Sequence, residues 1–291
     1  MVIAPNSVFK KTYVVDTNPI ELEVREYLPD KANKSDLIIY FPAWSGNNSS
    51  TIHYLAKKLS EKSNTVTLVI NTTPFQVIPN SLYQQAKAVA LFLKEQENGI
   101  KNLIIGGHSE GGIKAINLAS LSQNDKGIFL KGLILIAPLG LYKQSGLQLA
   151  WNFINDGYFN TKARINKEDE PRRSELKKKW DHVKKDVLTT IWQSVKHFKF
   201  HFISDLLSQI AEMSSISPRF EDIQCPIVVI AAENDIVSSP ASMHIQELFP
   251  HNPHVKLFVE KGIGHILPHW RQDEIVKTAL EYLESQSLDK I

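Results

Sequence analysis

Gly107, Ser109 and Gly111 spell G-x-S-x-G inside the run Leu103, Ile104, Ile105, Gly106, Gly107, His108, Ser109, Glu110, Gly111, Gly112. As a bare pattern it arises by chance in about one unrelated chain of this length in ten, so its setting carries the argument. An apolar, β-rich run precedes it. Ile113, Ala115, Ile116 and Ala119 follow at helical spacing, which puts Ser109 on a sharp strand-to-helix turn. Such a turn pushes the hydroxyl clear of the sheet, and glycines two before and two after it remove the side chains that would collide. The helix start also sets free N–H groups and a positive dipole end beside the place where negative charge would develop.

A serine hydroxyl is a poor nucleophile until a base takes its proton, so this chemistry requires an imidazole and a carboxylate that orients it. The apolar run at residues 226–232 ends in Glu233, Asn234 and Asp235 before Pro240 opens another helical segment, and Asp235 is the favoured acid, with Glu233 its competitor. The run at residues 255–259 leads into Gly262, Ile263, Gly264 and His265. Of the ten histidines, only His265 lies in a glycine-flanked loop just past a strand, and it is the favoured base; His251, His254 and His269 are the alternatives. The set points to nucleophilic attack on an acyl carbon.

Something must bring these distant groups together. Short Val- and Ile-rich runs at residues 37–41, 66–70, 103–105, 133–136, 227–231 and 255–259 predict strands buried on both faces. Between them lie helical stripes: Ile52, Leu55, Ala56 and Leu59; Leu82, Ala86, Val89, Ala90 and Leu93; and Ile275, Ala279 and Leu283. Alternating strand and helix predicts a mostly parallel α/β sheet. Upstream, residues 13–15 and 20–27 flank the turn formers Asp16, Asn18 and Pro19, which predicts an antiparallel edge.

The rhythm breaks between residues 141 and 222. No buried strand is predicted there, but Trp180, Val183, Val187, Ile191, Val195, Phe198 and Phe202 follow at helical spacing. A structureless loop of that length is improbable in a compact domain, so the segment reads as a helical cap (141–222) on a core formed by residues 1–140 and 223–291. Residues 161–186 hold ten Lys or Arg against six Asp or Glu, the pattern of a solvated helix face, with guidance of anionic substrates as the alternative.

Composition excludes several classes. With 43% hydrophobic and 22% charged residues the chain is neither disordered nor fibrous, and a net charge of +2 gives no sign of a nucleic-acid partner. A single cysteine, Cys225, allows no internal disulfide, supplies too little sulfur for a thiolate metal site and suits a reducing compartment. Residues 1–11 lack the apolar region of a signal peptide, and no run of about eighteen apolar residues occurs, so the expected location is the cytoplasm without a membrane span.

The order Ser109, Asp235, His265, with the serine on a strand-to-helix elbow and the acid and base past later strands, resembles the α/β-hydrolase fold superfamily over nearly the whole chain. The resemblance implies an eight-stranded, mostly parallel sheet flanked by helices, a lid inserted after the sixth strand, and a triad of Ser109 as nucleophile, His265 as general base and acid, and Asp235 as orienting group. Among capped members, epoxide hydrolases and haloalkane dehalogenases look similar but carry an aspartate at the elbow, so Ser109 argues against both. One departure stands out. Where the family commonly has His-Gly before an oxyanion-hole residue, this chain has Pro42 and Ala43; Trp44 would then supply one backbone donor and Glu110 the other.

The expected activity is therefore hydrolysis of a carboxylic ester, or a similar small acyl compound, through an acyl-enzyme, with no metal or organic cofactor. The same triad would also serve a thioester, amide or carbon–carbon bond, and a non-catalytic ligand receptor on this scaffold is a third reading. Trp151, Phe153, Tyr158 and Phe159 at the start of the cap, with Trp192 and Phe198 further on, are the candidate substrate-binding side chains, the alternative being that they pack the cap onto the sheet.

Overall fold

The computed structural model describes residues 5–43, 50–74, 81–96, 100–123, 127–167, 169–171, 173–178, 180–181, 211, 223–265 and 267–288. The apolar runs become β3 (Asn33–Phe41), β4 (Thr65–Pro74), β5 (Asn102–His108), β6 (Phe129–Ile136), β7 (Ile227–Ala232) and β8 (Val255–Glu260). The N-terminal pair becomes β1 (Ser7–Val15) and β2 (Asn18–Tyr27), joined by Asp16 and Thr17 with φ of 46° and 71°, the backbone that a tight two-residue hairpin requires. The eight strands form one sheet in the order β1-β2-β4-β3-β5-β6-β7-β8. β1 and β2 are antiparallel to their neighbours, and β3 through β8 are parallel.

Parallel strands need crossovers, and helices α1 (Ser50–Ser63), α2 (Ser81–Glu95) and α3 (Glu110–Gln123) supply the first three, while α7 (Gln272–Leu288) follows β8. They cover both faces. Leu37, Ile39 and Phe41 of β3 pack with Ala86, Val89, Ala115 and Ile116 from α2 and α3. Ile38 and Tyr40, pointing the other way, pack with Leu55, Leu59, Ile275 and Ala279 from α1 and α7. Each central strand thus splits its side chains between two cores, which is why it reads as a continuous apolar run rather than an alternation. Fully burying each Leu, Ile or Phe is worth about 1.5–3 kcal/mol.

β8 departs from expectation. Its apolar run predicts burial on both faces, but none of its residues is buried and Val259 is 45% exposed, because β8 ends the sheet and, among the described residues, has a strand neighbour on one side only.

The segment between β6 and β7 begins with α4 (Gly146–Ile154), capped by Ser145, whose Oγ accepts the Gln148 N–H at 3.1 Å. A π-helical turn (Asn155–Asn160) and α5 (Thr161–Lys167) follow. Among the described residues of 141–181 there is no strand. Trp180 is buried against Ile165, with Leu176 and Trp270 beside it. The rest of the predicted stripe, from Val183 to Phe202, lies outside the described residues, as do Trp192 and Phe198. After β7, a 3₁₀ turn at Pro240–Ser242 and the short α6 (Ile245–Leu248) lead to β8, and the Cys225 side chain is buried.

Register places the chemistry. His108 of β5 pairs with Ile136 of β6, Ile136 with Ile230 of β7, and Ile230 with Phe258 of β8. The four parallel strands end nearly level, so the loops leaving β5, β7 and β8 emerge along one edge, the usual place for a site in an open α/β sheet.

Candidate active site

Ser109 stands between the last residue of β5 and the first of α3, with φ of +56°, a left-handed conformation that a non-glycine residue adopts only when its surroundings impose it. The surroundings are visible. Its N–H donates to Ile136 O at 3.0 Å, and its own carbonyl accepts Gly112 N–H at 3.0 Å and Leu139 N–H at 3.1 Å. The two motif glycines are required sterically: a Cβ on Gly107 would lie 2.2 Å from the Gly111 carbonyl oxygen, and one on Gly111 would lie 2.3 Å from that of Phe41.

The three predicted side chains meet. Ser109 Oγ lies 2.8 Å from His265 Nε2, and His265 Nδ1 lies 2.9 Å from Asp235 Oδ2. A carboxylate only accepts, so Nδ1 carries the proton, which leaves the Nε2 lone pair facing the serine hydroxyl when the ring is neutral. The other Asp235 oxygen, Oδ1, accepts the N–H groups of Val237 and Ser238, each at 2.8 Å. Ser238 Oγ in turn donates to the Pro138 carbonyl, tying the Asp235 loop to the loop after β6. Ser109, Asp235 and His265 are all buried.

Burial alone would push the His265 pKa down. The charge and hydrogen bond of Asp235, with the charge of Asp156, outweigh it, so the imidazole is held above its ordinary 6.5. Asp156 was not singled out from sequence. It lies in the π-helical turn, fully buried, and its Oδ2 accepts the His265 backbone N–H at 2.7 Å. The only signal in the sequence is one acidic residue amid Trp151, Phe153, Tyr158 and Phe159, and Asn155-Asp156-Gly157 reads equally well as a turn. His108 was also unassigned: its Nε2 donates to the His265 carbonyl at 3.3 Å.

The alternatives stand elsewhere. Glu233 is exposed and accepts Gly262 N–H at 2.9 Å, bracing the glycine loop rather than the imidazole. His254 Nδ1 faces Gln286 Oε1 at 2.7 Å, and His251 is exposed; the side chain of His269 lies outside the described residues. Of the four aromatics, Phe153 sets its ring edge against His265, with centroids 5.2 Å apart at 85°, and packs on Leu82, Ile113, Leu139, Leu149 and Val237. Trp151 is 62% exposed and does not join this group, because it occupies the outer face of α4; the side chains of Tyr158 and Phe159 lie outside the described residues. So does Trp44, though the chain leading to it, Phe41 and Pro42, borders Gly111 at the elbow.

Glu110 opens α3, where main-chain N–H groups lack intrahelical acceptors. Its side chain is buried and pairs with Lys114 Nζ at 2.7 Å, one turn on; Lys114 also donates to Thr72 Oγ1 at 3.2 Å. Among the described residues, no group of three or more His, Cys, Asp or Glu is placed to hold a metal ion, and no helix is long and apolar enough to cross a membrane.

Known proteins frame this geometry. No curated protein sequence matches the chain. Among solved structures, an esterase from Thermogutta terrifontis superposes with a TM-score of 0.64 at 15% identity, covering 96% of this chain and 98% of that one. An esterase from Pyrobaculum calidifontis gives 0.59 at 15% identity, covering 97% and 86%. An N-formylmaleamic acid deformylase from Pseudomonas putida gives 0.60 at 12% identity, covering 93% and 100%. These likenesses speak for the fold, an eight-stranded α/β-hydrolase sheet. The family model described as serine aminopeptidase, S33, matches residues 79–269, a span that holds the elbow, Asp235 and His265, and the chain belongs to that family of α/β hydrolases.

Proposed function

We propose that the protein is a serine hydrolase that cleaves a carboxylic ester through an acyl-enzyme, with Ser109 as nucleophile, His265 as general base and acid, and Asp235 as orienting group. The observation that supports this most directly is the unbroken contact from Ser109 Oγ through His265 to Asp235, at 2.8 and 2.9 Å, on a left-handed elbow. Ser109 Oγ attacks the carbonyl carbon as its proton passes to His265 Nε2, giving a tetrahedral oxyanion. The backbone N–H groups of Glu110 and Trp44 are the proposed donors to that oxygen. His265 then returns the proton to the leaving alcohol as the carbon–oxygen bond breaks. Water, deprotonated by His265, attacks the acyl-serine; the acid departs and Ser109 recovers its proton. Asp235 stays ionised throughout and holds the imidazole in the productive tautomer.

Residues 141–222 form the cap in this reading, with residues 1–140 and 223–291 as the core. Phe153 contributes an apolar wall beside the base. A small acyl substrate needs such a wall together with a few convergent polar groups. An amide is the second reading, favoured by the description of the family as serine aminopeptidases and by the deformylase likeness.

A fluorophosphonate probe tests the chemistry: the wild type takes the label and Ser109→Ala does not. A panel of p-nitrophenyl esters, acyl-CoA thioesters and aminoacyl amides tests the bond. Turnover of an amide with no ester hydrolysed would replace the ester reading by the amide one, and an unlabelled wild type would favour a receptor.

A further inference from the structure

The segment between β6 and β7 reaches back to the base. Asp156 Oδ2 accepts the His265 backbone N–H at 2.7 Å, although 109 positions separate the two residues, and no part of Asp156 is exposed. Its neighbours grip the same edge of the sheet. Asn152 Nδ2 donates to the carbonyl of Ile236, next to Asp235, at 2.7 Å, and Phe153 lies edge-on to the imidazole. Thr161 Oγ1 closes the π-helical turn on the Asp156 carbonyl at 2.8 Å. π-Helical turns are rare and recur at functional sites. A carboxylate taken wholly out of water is costly unless its partners compensate, so burying one here needs a compensating role.

We infer that Asp156 is a positioning residue for His265: it fixes the base-bearing loop from above, so that the imidazole sits between Ser109 and Asp235, and places a second negative charge beside the imidazolium formed in the reaction. The inference rests on the proposal that His265 is the base. Among the described residues, the titratable and hydroxyl groups facing His265 are few. Asp235 approaches from the loop after β7, the Ser109 hydroxyl and His108 from the end of β5, and Asp156 from the π-helical turn; Glu233 holds the Gly262 N–H further back in the same loop. Asp235 and Asp156 are the carboxylates in this set that meet His265 itself.

The rate of inactivation by a fluorophosphonate tests this whatever bond the natural substrate contains. Ser109 Oγ displaces fluoride at phosphorus and His265 takes the hydroxyl proton, so the rate follows the neutral imidazole. Asp156→Asn keeps an acceptor for the His265 N–H but removes the charge. Its rate–pH midpoint is expected to fall by about half a unit or more below that of the wild type, because less negative charge favours the neutral ring. Asp156→Ala removes the acceptor as well, and is expected to be inactivated roughly 10- to 100-fold more slowly at every pH with unchanged reagent affinity, most of the rate returning in Asp156→Asn. A residue that merely packs the segment would leave the midpoint alone. Either an unmoved midpoint in Asp156→Asn or a full-rate alanine variant overturns the inference, and the midpoint decides it should the alanine variant not fold. An unlabelled wild type overturns the hydrolase reading and this inference together, whereas a labelled wild type with unmoved variants overturns this inference alone.

Discussion

Replacing Asp235 by asparagine changes one charge and almost no volume. Its Oδ1 accepts two backbone N–H groups at 2.8 Å, and an amide oxygen keeps both. The amide nitrogen would then stand 2.9 Å from His265 Nδ1, where the carboxylate oxygen had been, and would donate to it. The imidazole proton moves to Nε2, which faces Ser109 Oγ at 2.8 Å and has no lone pair left for the serine proton. A wrong tautomer of this kind costs about 10⁴-fold in kcat, or about 5.4 kcal/mol at 1.36 kcal/mol per decade. Losing the charge-assisted hydrogen bond costs about 1.5–3 kcal/mol of stability. The stability loss depends on pH. Because the His265 pKa is raised in the folded state, its contribution is fully present below the unfolded value near 6.5 and disappears as pH rises through the folded value. The thermal-melt gap between wild type and Asp235→Asn is therefore wider at about pH 5.5 than at about pH 9. Turnover of the best ester on the alkaline plateau of the wild-type pH profile, where the imidazole is neutral, is the assay. A variant retaining activity within about tenfold of the wild type would refute the orienting role of Asp235.

Three other outcomes are expected. The kcat/KM of the wild type rises with pH to a midpoint above the 6.5 of an ordinary histidine, since Asp235 and Asp156 hold the imidazole up, and a profile flat from about pH 5 to 9 would count against a histidine base. Ser109→Ala and Ser109→Gly are both inactive, yet the glycine variant melts higher, because φ of +56° costs alanine roughly 1–2 kcal/mol, more than the roughly 0.5–1 kcal/mol of extra unfolded-chain entropy that glycine brings; an alanine variant that melts higher would show that the elbow is unstrained. Lys114→Met leaves the Glu110 carboxylate buried without its partner and destabilises the fold by roughly 3–5 kcal/mol, much of it recovered in Glu110→Gln/Lys114→Met, as chemical denaturation would measure; additive losses would contradict the pairing.

Much of the site is legible in the chain because its signals are local. The strand before Ser109 and the helical stripe after it identify the elbow, and apolar runs ending in Asp235 and in the loop of His265 identify two further strand ends, since side-chain periodicity and turn chemistry are written within about ten residues. Other features have no local signature. The choice of Asp235 over Glu233 depends on which carboxylate turns inward, two residues apart in one turn. β8 reads like an inner strand and becomes an edge, because apolar content does not say how many strands flank it. Trp151 and Phe153 are equally aromatic in sequence, but of the two only Phe153 meets the His265 ring, since the helical rotation of α4 sends them to different faces.

Local patterning along the chain sets the kind of elements, their order and the strand ends that carry Ser109, Asp235 and His265. The tertiary structure decided the strand order β5-β6-β7-β8, whose level ends bring an alcohol, an imidazole and a carboxylate from distant positions within hydrogen-bonding reach. It also decided that Asp156 joins them. A hydrogen bond across 109 positions depends on where the whole chain folds back, and nothing in the residues flanking Asp156 encodes that distance.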